Sequence, residues 1–157
     1  MEVYYRILPI YGFRGNEDED FFAVFDGHGG QSVAEFCAIH APRVVEQALA
    51  LNPPGSTATA IFPTAFRALN EEIQKELGEV AQKCGSTAVI ALVKGTQLMV
   101  ANVGDSRAVL EREGGAERLT IDHKPCEEGE KARIEALGGH VVYLRGVARL
   151  DGNLAVA

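Results

Sequence analysis

After Gly85 the apolar pattern changes period, and that change does most to limit the folds open to this chain. Ahead of it, two stretches repeat at helical spacing. Val33, Phe36, Cys37, Ala41, Val44, Val45 and Ala48 recur three and four apart, with Pro42 as an expected kink. Phe62, Phe66, Leu69, Ile73, Leu77 and Val80 do the same, while Glu71, Glu72, Lys75 and Glu79 decorate the other side. The Pro-Pro-Gly stretch at 52–56 is the loop between them. Beyond Gly85, strands are predicted at 87–93, 97–103 and 106–112, joined by Lys94-Gly95-Thr96 and Gly104-Asp105 and closed by Gly114-Gly115. Links this short exclude a parallel crossover and predict an antiparallel meander.

The ends of the chain extend that pattern. Residues 3–11 read as a strand with a bulge or edge at Pro9, and the continuous apolar run 21–25 reads as a strand buried on both faces. A weaker helix is predicted at 127–137, stopped by Gly138-Gly139, then a strand at 140–145. Asp151-Gly152-Asn153 turns the chain into Leu154-Ala155-Val156, which reads as the opening of another strand. Hairpin strands around a two-helix block predict an α+β fold, a sheet covered by an antiparallel helix pair. A length of 157 residues suits one domain, 1–157, expected to break off on its C-terminal side.

Charge narrows the partners. Fifteen Lys and Arg against 22 Asp and Glu leave a net charge of −7, so nucleic acid and anionic membrane are not expected partners. The same acids are the hard oxygen ligands that divalent cations take. No apolar run approaches the roughly 18 residues of a membrane span, and residues 1–6 lack a signal-peptide pattern. Cys37, Cys84 and Cys126 are odd in number and widely spaced, which predicts free thiols in an intracellular compartment, cytoplasmic or nuclear. Nothing in the pattern fixes an oligomeric state.

The chemistry concentrates at Asp26-Gly27-His28-Gly29-Gly30, after the 21–25 run and before the first helix. An Asp-Gly pair by itself marks a turn. Followed by His-Gly-Gly and a helix, it puts a carboxylate at a strand end where backbone can approach a ligand closely. The Asp26 carboxylate and the Gly27 carbonyl suit Mg²⁺ or Mn²⁺, with water filling the other positions. His28 beside such a site is placed for general acid or base work. Four acids, Glu17-Asp18-Glu19-Asp20, stand just upstream with Arg14. Strands adjacent in sequence usually pair, which is expected to bring these acids to Asp26 as a two-metal site requires, with Arg14 as a fork for phosphate oxygens. Gly104-Asp105-Ser106-Arg107 reads first as a tight turn. No G-x-S-x-G elbow, P-loop or G-x-G-x-x-G is present. Cys37 and His40 lack a second ligand pair, so zinc is not expected.

In this order the motifs resemble the protein phosphatase 2C family of metal-dependent Ser/Thr phosphatases. Phe21 to Gly30 is similar to its metal motif, Gly85-Ser86-Thr87-Ala88 to its G-S-T-A entry, and Ala101 to Ala108 to its A-N-x-G-D-S-R-A turn. Asp122-His123-Lys124-Pro125, Glu130 to Ile134 with Gly138-Gly139, and Arg149 to Val156 resemble later segments. The resemblance implies an antiparallel β-sandwich flanked by helix pairs. It implies two Mg²⁺ or Mn²⁺ ions and direct attack of an activated water on phosphoserine or phosphothreonine in phosphorylated protein substrates. By that likeness Asp26 bridges the metals, Gly27 gives its carbonyl, His28 is the general acid and Arg14 holds phosphate. Glu17 or Asp18 takes the place of the N-terminal acids, and Asp105 is tied to a third, weaker metal. Two later carboxylate segments of the family have no counterpart here, which sets up an alternative: an inactive half-domain serving as a binding or regulatory module.

Overall fold

Alternation along one strand organises the first part of the chain. In the computed structural model, which describes residues 2–8, 13 and 18–156 (side chains for 13 and 18–156), Glu19–His28 forms a ten-residue strand, β2. It lies between β1, Glu2–Leu8, and β4, Ala88–Lys94, both antiparallel to it. A two-residue strand β3, Gly85–Ser86, pairs with the end of β2, and β5, Gln97–Val103, completes a five-stranded sheet ordered β1-β2-β4-β5. The expectation for 3–11 is met over Glu2–Leu8; Pro9 lies outside the described residues.

Phe21, Ala23 and Phe25 point from β2 into the core, and Phe21 and Phe25 are wholly buried. Each large apolar side chain so buried contributes about 1.5–3 kcal/mol. Phe22 and Val24, on the opposite face, are 38% and 37% exposed, so 21–25 is not buried on both faces as the run suggested. A continuous apolar run looks the same from sequence whether one face or two is covered.

Two twenty-residue helices, α1 (Ser32–Leu51) and α2 (Ala58–Leu77), follow β2, and α1 packs on β1, β2 and β3. The short loop turns them into a hairpin, with Val33, Ala34, Cys37, Ala41, Val44, Val45 and Ala48 of α1 buried alongside Ile61, Phe62, Ala65, Leu69 and Ile73 of α2. Helix α1 runs unbroken through Pro42. In α2, Phe66 and Leu77 are only half-buried and the helix ends at Leu77 in favour of a 3-10 turn, Gly78–Gln82, which leaves Val80 45% exposed. Cys37 is buried, and burial pushes its thiol up to about 12, the behaviour of an inert core residue. The His40 ring stacks on Phe36 at 4.1 Å, so the pair is structural, as its lone spacing suggested.

Residues 1–101 form one compact unit and 102–157 a second. In the second, β6 (Val109–Arg112) pairs with β7 (Gly115–Arg118), helix α3 covers Glu128–Ala136, and β8 (Val141–Leu144) pairs with β9 (Val147–Leu150). The meander therefore stops at β5: the strand expected over 106–112 shortens to β6 and takes β7 as partner. Both β7 and β9 escaped the sequence reading. The four residues of β7 are all exposed, so no apolar alternation marks them. The β8–β9 turn uses Arg145 at φ 52 and Gly146 at φ 82, a left-handed pair that only its glycine signals. No helix among the described residues is long and apolar enough to cross a membrane.

Candidate metal centre

Asp26, Gly27 and His28 are the last three residues of β2, held on one side by β1 and on the other by the segment 83–87. Gly27 stands across from Ser86 and His28 across from Gly85. The Thr87 N–H donates to the Asp26 carbonyl at 2.9 Å, the Asp26 N–H donates to Thr87 Oγ1 at 3.3 Å, and the Ser86 hydroxyl donates to the Asp26 carbonyl at 3.3 Å. Thr87 is itself buried, so these bonds work where water does not compete. The Gly-Ser-Thr run at 85–87 thus fixes the backbone that carries the motif.

Gly29 needs to be glycine on two counts. Its φ is +70, and a Cβ there would sit 2.2 Å from the Lys83 carbonyl oxygen. Glycine lets the loop lie directly against 83–85 before α1 begins.

Fixing the Asp26 main chain leaves its carboxylate for another task. Oδ1 is shut off from solvent and has no hydrogen-bond partner among the described residues. A buried acceptor left so costs about 1–3 kcal/mol, more when charged, and a bound cation removes that cost. The site fits Mg²⁺ or Mn²⁺ on this ground: one hard oxygen from Asp26, with the Gly27 carbonyl next along the strand. Among the described residues no three His, Cys, Asp or Glu side chains gather that could hold an ion.

The other expected site residues fall elsewhere. Arg14 and Glu17 lie outside the described residues. Asp18 precedes β2 and Asp26 is near its other end, about 26 Å away at 3.3 Å per residue. The acids at 18–20 therefore do not come to Asp26, contrary to the adjacency argument. They serve the far end, where the Asp18 carbonyl accepts from the Gly95 N–H at 3.1 Å and Lys94 pairs with buried Glu19 at 2.6 Å. The flanking strands do pair, but 19–28 is one continuous strand, so its first acids and Asp26 stand at opposite ends of it. Glu2 stands across from Gly27 and Val3 across from Asp26.

Asp105 lies in the second unit, in the turn after β5, 3.9 Å from the Lys124 ammonium. Its motif is tied to the 122–125 segment. Arg107 donates to both carboxylate oxygens of Asp122 at 3.1 and 2.7 Å, and Arg118 pairs with the same carboxylate. The Arg107 hydrogen bonds, above all, hold the Asp122 carboxyl down at about 2. His123 accepts the Gly104 N–H at Nδ1 (3.3 Å) while its backbone N–H donates to the Gly104 carbonyl at 2.9 Å.

A cleft of about 340 Å³ opens elsewhere, on the outer side of the helix pair, lined by Phe36, His40, Arg43, Glu72, Lys75 and Glu76. It shares no residue with the Asp26 strand end, and its Arg43 is already paired with Glu72.

The family model of protein phosphatase 2C matches residues 5–157. The chain belongs to the protein phosphatase 2C family. It is 38% identical over 149 residues to human protein phosphatase 1E, covering 94% of this chain and 19% of that protein. It is 40% identical over 157 residues to the probable protein phosphatase 2C 14 of Arabidopsis thaliana, covering 100% of this chain and 34% of the relative. Among solved structures, a C. elegans sex-determining protein superposes with a TM-score of 0.88 at 27% identity, over 99% of this chain and 39% of that one. A phosphatase from a pathogenic strain of Toxoplasma gondii gives 0.74 at 26%, over 99% and 58%. The chain thus spans between 19% and 58% of the length of these relatives, and its fold is the α+β fold of the family.

Proposed function

We propose that this chain contributes the Asp26 strand end of a Mg²⁺- or Mn²⁺-dependent phosphatase that removes phosphate from phosphoserine and phosphothreonine in proteins. The observation that carries the reading is the Asp26 Oδ1 atom, buried and unpartnered among the described residues on a backbone tied down by Ser86 and Thr87. Asp26 and the Gly27 carbonyl would hold the cation. When bound, the ion supplies a Lewis acid that lowers the pKa of water and offsets phosphate charge.

The chain's own residues do the rest. His28, at the end of the same strand, gives a proton to the serine or threonine oxygen as the P–O bond breaks and the electron pair stays on that oxygen. One water is consumed; its oxygen ends on phosphorus, and its protons are shared between phosphate and the released hydroxyl. Asp26 and His28 are two apart on β2 and so share a face of the sheet. Asp105 is given no step here, since a lysine ammonium already stands beside it.

The test uses the product of the complete reading frame that contains residues 1–157, with a phosphothreonine peptide labelled on phosphorus. Chelator-sensitive release of phosphate is expected, with no label left on acid-quenched protein. Release unaffected by chelator, or label trapped on the chain, would contradict direct metal-dependent hydrolysis.

A further inference from the structure

His28 rests on a glycine. Gly85 is its register partner across β2 and β3, and a Cβ built on Gly85 would lie 2.5 Å from His28 Nε2 and 3.0 Å from Cε1. The imidazole therefore fills the space that any side chain at 85 would occupy. Cross-strand rings folded over glycines in this way cover exposed backbone and lose freedom in doing so. We propose that Gly85 is a positioning residue that seats the His28 ring for proton transfer; this rests on the reading of His28 as the proton donor.

The surroundings say which partner yields when the seat is filled. Gly85 lies between Cys84, against which Gly30 packs, and Ser86, which pairs with Gly27. Just past the end of β2, Gly29 is pressed to the Lys83 carbonyl. Backbone is clamped on both sides, whereas the atoms closest to the missing Cβ are the outer end of one side chain. A methyl at 85 thus displaces the ring and leaves the strands in place. Gly29 is the contrast: a methyl there meets backbone at 2.2 Å, at a φ of +70, and the loop itself must move. Gly85→Ala consequently separates placement of His28 from folding.

A misplacement of about 1 Å can cost a hundredfold in rate, but only where the displaced group is needed. Loss of a threonine oxygen needs a proton; p-nitrophenolate leaves as a stable anion. In the complete protein, Gly85→Ala is expected to lower kcat on a phosphothreonine peptide by about a hundredfold and to leave p-nitrophenyl phosphate within a few-fold of wild type. Melting temperature and Mn²⁺ affinity should be unchanged. Gly115→Ala, where a Cβ meets nothing within 4 Å, should be silent on both substrates. On residues 1–157 without metal, the nuclear Overhauser contact between the His28 ring and the Gly85 α-protons should be present, and Gly85→Ala should shift the ring signals. His28→Ala is the reference. If it splits the two substrates and Gly85→Ala does not, or if Gly85→Ala lowers both rates together with the melting temperature, the seating proposal is overturned. If His28→Ala shows no split, the proton-donor reading fails instead, and the ring contact alone decides the seating.

Discussion

At Asp26 one carboxylate oxygen is beyond the reach of solvent and of every described donor, while the peptide that carries it is bonded on both sides. Asp26→Asn should weaken Mn²⁺ binding at least tenfold, about 1.4 kcal/mol, and Asp122→Asn should leave it nearly unchanged, because Arg107 and Arg118 already occupy that carboxylate. Titration calorimetry giving equal affinities for the two variants would remove Asp26 from the site. Asp122 makes its own prediction with acid. Its folded value of about 2 lies below the usual carboxylate value, so the fold favours the charged form. The stability it adds is fully present above about pH 4 and is lost as pH falls through 2. Melting temperatures of wild type and Asp122→Asn should differ near neutrality and converge below pH 2; a constant gap would contradict the Arg107 pairing. Asp26, Gly27 and His28 were legible in sequence because their motif is local. The placement of the acids at 18–20 was not, because they lead into the same ten-residue strand that Asp26 nearly closes, and polar residues at a strand's start leave no apolar signal.

Helix α2 shows what periodicity reveals and where it stops. Phe62, Leu69 and Ile73 are buried as their spacing predicts, since a helix packed on one side needs an apolar stripe and no other face. Ile61 and Ala65 complete the stripe, and small or neighbouring residues carry too weak a signal to be picked out. Leu69→Asp should cost several kcal/mol, the consequence of an unpaired buried charge. Glu72→Gln should be almost silent, since its pair with Arg43 is exposed to solvent. A thermal melt in which both variants unfold together would contradict the stripe. The ribbon β6–β7 marks the limit on the other side: Gly115–Arg118 has no buried residue, and backbone pairing with an exposed Arg112–Glu117 ion pair defines it.

On the scale of the molecule, the first unit buries one face of its sheet under α1 and leaves Phe22, Val24 and Leu98 more than a third exposed. The α+β class was legible from the change of period at Gly85, since helices and strands need different spacings to bury one side. The family was legible from ordered motifs, and the match over residues 5–157 bears it out. A hydrolytic centre that uses two cations needs more carboxylates than the described residues bring together at Asp26. Residues 1–157 by themselves are therefore expected to release no phosphate. The most direct measurement sets four samples side by side on a phosphothreonine peptide with Mn²⁺, each with and without chelator: residues 1–157 and the product of the complete reading frame, wild type and Asp26→Asn. Chelator-sensitive turnover from the complete wild-type protein alone is the predicted result. Turnover that survives Asp26→Asn would contradict the assignment of the metal to this strand end.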